Sequence, residues 1–184
     1  MESGDVKYDI DWAKKQVNPQ FLFFWGHHKE GNQITKSCLS QWWSCAFTSN
    51  NIEYNCAEQY MMSEKAKFFK DDEMYQLILK EKSPAQIKKY GRQVKNYNGD
   101  EWDKVKVDIV IQGNILKFSQ NKELKEFLIN TGNKILVEAS PYDKIWGIGL
   151  EADNPNVNDI YRWRGKNLLG FALMKVRDYI NKNN

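Results

Sequence analysis

Glu58 and Lys65 stand seven positions apart in a segment, Asn55 to Phe69, that reads as one helix, so they share a face about two turns apart. A carboxylate and an amine on one face can do general acid–base chemistry. The amine can also bind phosphate, or attack an electrophilic carbon if burial or a neighbouring cation lowers its pKa well below the usual ~10.4. Each residue has a plainer reading. Glu58 follows Asn55 by three positions, the spacing of a capping box, and a helical lysine is ordinarily solvated. Spacing alone favours the cap for Glu58, and one carboxylate cannot fully serve both roles.

A second constellation lies toward the C-terminus. Asp143 ends Ser140-Pro141-Tyr142-Asp143, where proline at the second position suggests a type I turn. It is either a turn residue or, placed between a buried strand and Trp146-Gly147, a carboxylate projecting into a cleft. Gly147-Ile148-Gly149 would let backbone N–H groups approach a ligand, although a strand bulge explains the glycines equally well. Asn167 opens the last helix, where an N-cap is expected and where a phosphate would also sit well beside Arg164 and Lys166. Arg92, after Gly91, could hold phosphate bidentately or form a surface ion pair. Trp25, Trp102 and Trp163 could stack on a base, with core packing the default for any one of them.

The elements that must position these residues follow from periodicity and punctuation. Phe21–Trp25 reads as a buried aromatic strand ended by Gly26, and Ile52–Tyr54 as a short strand after the Ser49–Asn51 turn. Helices are expected over Asn55–Phe69, Asp71–Lys82, Ser83 to about Gly91, Glu101–Phe118 with an irregularity at Gly113, Lys122–Asn130 and Asn167–Ile180. Lys134–Glu138 is a buried strand, and the Asn/Asp-rich Glu151–Asp159 an exposed loop. The fold class is α+β, mostly helical, in one domain with a few short strands. At 184 residues the chain is long enough for one self-supporting core.

Composition excludes more than it identifies. Lys and Arg number 27 against 24 Asp and Glu, a net +3 that announces no nucleic-acid binder yet is compatible with an anionic ligand. The 3 cysteines, Cys38, Cys45 and Cys56, have no paired spacing, and the 2 histidines, His27 and His28, are neighbours that a strand would point to opposite faces. No metal site is spelled out, and reduced thiols in a reducing compartment are expected. The polar N-terminus lacks the apolar core of a signal peptide, and no apolar run approaches the ~18 residues of a membrane span, so a cytoplasmic protein is expected. Aromatic residues reach 14%, a surplus that a base- or sugar-binding cleft would use.

Three stretches together resemble the NADAR superfamily, also called the YbiA-like family. They are Ala57-Glu58-Gln59-Tyr60-Met61-Met62 with Lys65; Leu136-Val137-Glu138 through Ser140-Pro141-Tyr142-Asp143 to Ile145-Trp146-Gly147-Ile148-Gly149; and Trp163 with Gly165-Lys166-Asn167-Leu168-Leu169-Gly170, then Leu173-Met174 and Val176-Arg177. Phe24-Trp25-Gly26, Leu39-Ser40-Gln41-Trp42, Ser83-Pro84 with Gly91-Arg92, and Trp102 are similar to family elements in the same order, with Ser40-Gln41 standing where the family usually has Ser-Asn.

The resemblance implies a YbiA-like domain over residues 21–181 behind an extension over 1–20. It also implies hydrolysis of a bond between ribose C1′ and an amine on a guanine-like base. The implied catalytic residues are Glu58, Lys65 and Asp143. Implied substrate contacts are Trp25, Gly26, Arg92, Trp102, Trp146, Gly147, Trp163 and Asn167, with no metal and no cofactor. The implied substrates are ribosylamino-pyrimidine phosphates of riboflavin synthesis. ADP-ribose on guanine of nucleic acid, or ADP-ribose held by a non-catalytic module, are the alternatives, and a monomer is expected.

Overall fold

The middle of the chain folds where capping and periodicity place its helices. The computed structural model describes residues 6–184. In chain order its main elements are α1 (Ile10–Lys14), β1 (Phe21–Phe24), β2 (Phe47–Ser49), β3 (Ile52–Tyr54), α2 (Ala57–Phe68), α3 (Asp72–Lys80), α4 (Pro84–Arg92), α5 (Gly99–Gln120), α6 (Lys122–Asn130), β4 (Ile135–Glu138) and α7 (Leu168–Lys182). They form two units, one comprising the N-terminal stretch through Trp25 with Asn130–Asn184, the other Gly26–Ile129. Residues 1–5 of the expected N-terminal extension lie outside the described residues. From residue 6 the extension carries α1, which the sequence reading had not anticipated and which Asp9 caps by accepting a 2.8 Å bond from the Trp12 N–H.

In the unit Gly26–Ile129, β2 and β3 make an antiparallel hairpin with Phe47 opposite Tyr54. Its two-residue loop is Asn50-Asn51, both left-handed, the conformation that matches the twist of hairpin strands and that asparagine tolerates. Phe47, Tyr54 and Tyr60 bury together, with Phe47 and Tyr54 stacked at 5.5 Å. Helix α2 packs against α3, α4 and α5, and its residues from Ala57 through Ser63 are all buried. Close helix approach is bought with glycine: a Cβ on Gly91 would lie 2.0 Å from the Met62 sulfur, and one on Gly113 would lie 2.6 Å from the Tyr60 ring. Gly113 is therefore no irregularity. Helix α5 runs through it unbroken, and the residue is small because Tyr60 of α2 lies against it.

The expected capping box at the start of α2 is corrected. The N-cap is Cys56, with no side-chain cap bond, and Asn55 stands one position outside the helix. Gln59, not Glu58, reaches back: its Oε1 accepts from the Asn55 N–H at 2.9 Å. The Gln59 amide group then shares its protons among the carbonyls of Ile78, Leu79 and Glu81 at 3.0, 3.2 and 2.9 Å. One buried amide thus satisfies the start of α2 and the end of α3. Ser83 caps α4 as expected, accepting from the Gln86 N–H. His27 and His28 lie outside any strand, their rings stacked at 5.1 Å rather than pointing apart.

In the other unit, β1 and β4 pair in parallel with Phe21 opposite Ile135. Only Phe24 of β1 is fully buried, so the strand is half-covered rather than enclosed. Helix α7 lies against β4, and a Cβ on Gly170 would meet the Leu136 carbonyl oxygen at 2.0 Å. That contact fixes glycine in the last helix.

Gln59→Ala is expected to cost about 2–3 kcal/mol, because it leaves buried carbonyls and one N–H without partners. Urea unfolding measures it; a loss under about 0.5 kcal/mol would show that water replaces the amide.

Candidate active site

Glu58 occupies the first turn of α2 and is only 7% exposed. Its backbone N–H donates to the Gln41 carbonyl at 2.9 Å, which joins the Ser40-Gln41 segment to the start of the helix. Lys65 lies farther along α2, near enough for the Glu58 charge to act on it. Its ammonium sits over the Tyr97 ring at 4.4 Å and the Trp102 ring at 5.7 Å. Burial pushes the Lys65 pKa below the ordinary lysine value; Glu58 opposes that shift and the Arg92 cation adds to it. The amine is therefore partly desolvated, set over aromatic faces and within reach of the Glu58 charge, which suits charge stabilisation as well as nucleophilic attack.

Trp102 is buried, with its ring 6.4 Å from that of Phe69, while Arg92 at the end of α4 is exposed. Glu58, Lys65, Arg92 and Trp102 thus come together in the unit Gly26–Ile129. Gly26 belongs to the same unit and has a left-handed φ of 86°, a conformation that explains glycine there by itself.

Two polar residues of α5 escaped the sequence reading. Asn114 and Lys117 have no exposed surface. Asn114 Nδ2 donates to the Gln41 Oε1 and to the Val110 carbonyl, both at 2.8 Å. Lys117 Nζ donates to the carbonyls of Cys38 at 2.7 Å and Ser40 at 2.9 Å, and burial lowers its pKa. Lys117 thereby pins the segment that presents Gln41 to Glu58. The only signal for this in the sequence is that Asn114 and Lys117 continue the face of Val110, where apolar residues would be expected. The three cysteines lie around the same lysine; burial pushes Cys38 and Cys56 up to about 12 and raises Cys45 as well, so all three are thiols rather than nucleophiles at neutral pH.

Asp143, Trp146, Gly147, Trp163 and Asn167 lie in the other unit. Asp143 Oδ1 accepts from the Ile145 and Trp146 N–H groups at 2.8 Å each, the turn role foreseen for it. Gly147 is tight against its own protein: a Cβ would lie 2.8 Å from the Glu138 carbonyl and 2.9 Å from that of Asp143. The close approach inferred from its glycines is thus made by neighbouring backbone. Asn167 precedes α7 in a left-handed conformation and makes no side-chain cap, contrary to expectation. Its amide instead donates to the Leu136 carbonyl at 2.9 Å and accepts from the Glu138 N–H at 3.0 Å, taking up polar groups of β4. Trp163 donates its indole N–H to the Val157 carbonyl at 2.7 Å and packs edge-on to Phe21. Trp25 is half-exposed beside Tyr142. Among the described residues, no group of three or more His, Cys, Asp or Glu is placed to hold a metal ion, and no helix is long and apolar enough to cross a membrane.

Residues 23–181 match the NADAR domain family. An N-glycosidase of Acanthamoeba polyphaga mimivirus is 46% identical over 164 residues, covering 86% of this chain and 95% of that protein. The chloroplastic riboflavin biosynthesis protein PYRR of Arabidopsis thaliana is 34% identical over 46% of this chain and 12% of its own length. In fold, the chain is similar to the NMR structure of Escherichia coli YbiA, with a TM-score of 0.72 at 22% identity over 91% of this chain and 89% of that one.

The charges around Lys65 make its titration a test of the arrangement. NMR is expected to give a pKa below that of a free lysine, shifted further down in Glu58→Gln, which loses the opposing anion, and upward in Arg92→Ala. An ordinary lysine value in all three proteins would show that the amine is solvated and uncoupled.

Proposed function

We propose a substrate and a mechanism from this premise: the chain belongs to the NADAR domain family and is a hydrolase of the N-glycosidase type. The substrate is a ribosylamino-pyrimidine phosphate, as formed early in riboflavin synthesis, and the reaction places a water oxygen on ribose C1′ while the base departs as a free amine. Relatives named for riboflavin biosynthesis support the substrate class. The single observation that carries the chemistry is the pair on α2: a buried first-turn carboxylate and, along the same helix, a partly desolvated amine.

Breaking the C1′–N bond requires positive charge to build at C1′, and the leaving nitrogen must gain a proton. Glu58 is assigned to stabilise that charge, to take a proton from the attacking water and, where water attacks directly, to pass it on to the departing amine. Lys65 acts in one of two ways. As a cation it binds the sugar phosphate. As a free amine it adds to C1′ of the opened sugar, transfers a proton to the departing amine, and leaves an imine that water hydrolyses back to lysine and ribose phosphate. The depressed pKa enlarges the free-amine fraction near neutral pH, which the second route needs. Trp102 would bound the base, and Arg92 would meet phosphate. Asn167, Trp163 and Gly147, whose polar groups or close packing are taken up by the protein, would shape the surrounding backbone.

Glu58→Gln is expected to keep the fold and lower turnover roughly 100-fold or more on a ribosylamino-pyrimidine phosphate, followed by release of the free amine. A drop of less than about tenfold would remove Glu58 from the mechanism. Borohydride added during turnover should trap the sugar on the wild type and not on Lys65→Ala; trapping that persists in the variant would discard the imine route.

A further inference from the structure

Arg177 of α7 is 4% exposed and has no carboxylate within ion-pair distance among the described residues. Its Nη1 donates to the Thr131 hydroxyl at 2.8 Å and to the Lys134 carbonyl at 2.9 Å, tying the turn that leads into β4. The guanidinium carries five N–H donors in a planar fork. Its Nε and Nη2 edge, the one that binds oxyanions bidentately, makes no hydrogen bond to any described residue. A turn needs no such fork, since a single donor would tie it.

This guanidinium lines a cleft of about 820 Å³ formed wholly within the unit of α1, β1, β4 and α7. On one side stand Tyr8 and Trp12, with rings edge-to-face at 4.7 Å. The Tyr8 hydroxyl donates to Asp178 at 2.6 Å; that carboxylate makes no hydrogen bond to its neighbour Arg177, although its charge acts on the guanidinium. The rest of the lining is rich in amides, including Gln20 and Asn133, which donate and accept equally well. Lys134 adds a second cation at the rim, so Arg177 and Lys134 outweigh Asp178 by one positive charge. None of the lining residues is among those assigned to the reaction.

We infer that this cleft is a binding site for a small hydroxylated oxyanion, a sugar phosphate or a sugar acid. The oxyanion sits on the Nε and Nη2 edge of Arg177, the hydroxyls meet the amides, and the sugar face lies against Trp12. A buried arginine whose outer edge has no hydrogen-bond partner among the described residues, a ring wall and convergent amides are the parts such ligands require. None of its residues takes part in the Glu58 chemistry, so its failure would leave that reading untouched.

The test is NMR titration of the full chain with ribose 5-phosphate, ribose, gluconate and inorganic phosphate, read at the Trp12 indole and at the backbone amides of Thr131 to Lys134. Ribose 5-phosphate or gluconate should shift these signals and ribose should not; which of the two binds more tightly decides between phosphate and carboxylate. Arg177→Lys, which keeps the charge and loses the fork, should weaken binding at least about tenfold. Because Arg177 also supports the turn, Asn133→Asp provides a surface variant with the fork intact; its added anion should weaken binding by a similar factor. Absence of shifts at the cleft, shifts with inorganic phosphate alone that the sugar does not improve, or binding unchanged in both variants would each overturn the assignment.

Discussion

Polar groups taken out of water must find partners, and α2 is where that constraint presses hardest. The helix is surrounded by α3, α4 and α5, yet its first turn carries Glu58 and Gln59 inward. An apolar side chain at Gln59 would leave the end of α3 unsatisfied, since the carbonyls of Ile78, Leu79 and Glu81 all converge on that one amide. Because Gln59 also holds the Asn55 N–H, it performs the helix-start duty that would otherwise compete for a carboxylate. The location of the acid and the satisfaction of the backbone around it are one arrangement.

The same logic reaches outward along the chain from Gln41. Its carbonyl receives the Glu58 N–H, its amide oxygen receives Asn114, and the preceding carbonyls of Cys38 and Ser40 are held by Lys117. Three polar residues from two distant segments therefore fix the backbone beside the acid. Burial of Lys117 without an anionic partner among the described residues is costly, and its pKa falls accordingly. Carbonyl oxygens are the acceptors that make the position tenable. Holding a loop by its carbonyls as well as by the Gln41 side chain leaves few degrees of freedom there, as a site that must orient a carboxylate requires.

In the other unit the working material is backbone packed on backbone. Gly147, Gly165 and Gly170 each lie where a Cβ would collide with a carbonyl oxygen, from Glu138, Gly147 and Leu136 respectively. Asn167, left-handed, adds a side-chain amide that takes up polar groups of β4. The glycine-rich pattern is thus a record of close loop packing around β4 and the start of α7. Asp143 contributes by accepting two N–H groups of the same loop.

Local information in the sequence was enough for the helices from α2 onward, while α1 and β2 escaped it. Apolar periodicity, Ser83 ahead of Pro84, and Gly132 after α6 specify helices through contacts within a few residues, and those contacts form in any tertiary setting. The same periodicity set Glu58 and Lys65 on one helix. Which groups they meet was decided elsewhere. Gln59 replaces Glu58 in the cap because its carbonyl partners lie 19 to 22 positions away. Lys117 is buried because its acceptors lie 77 and 79 positions away, and Gly113 is small because Tyr60 of another helix occupies the space. A hydrogen bond or a steric contact between distant segments leaves no period in the sequence, so only the assembled fold can choose it.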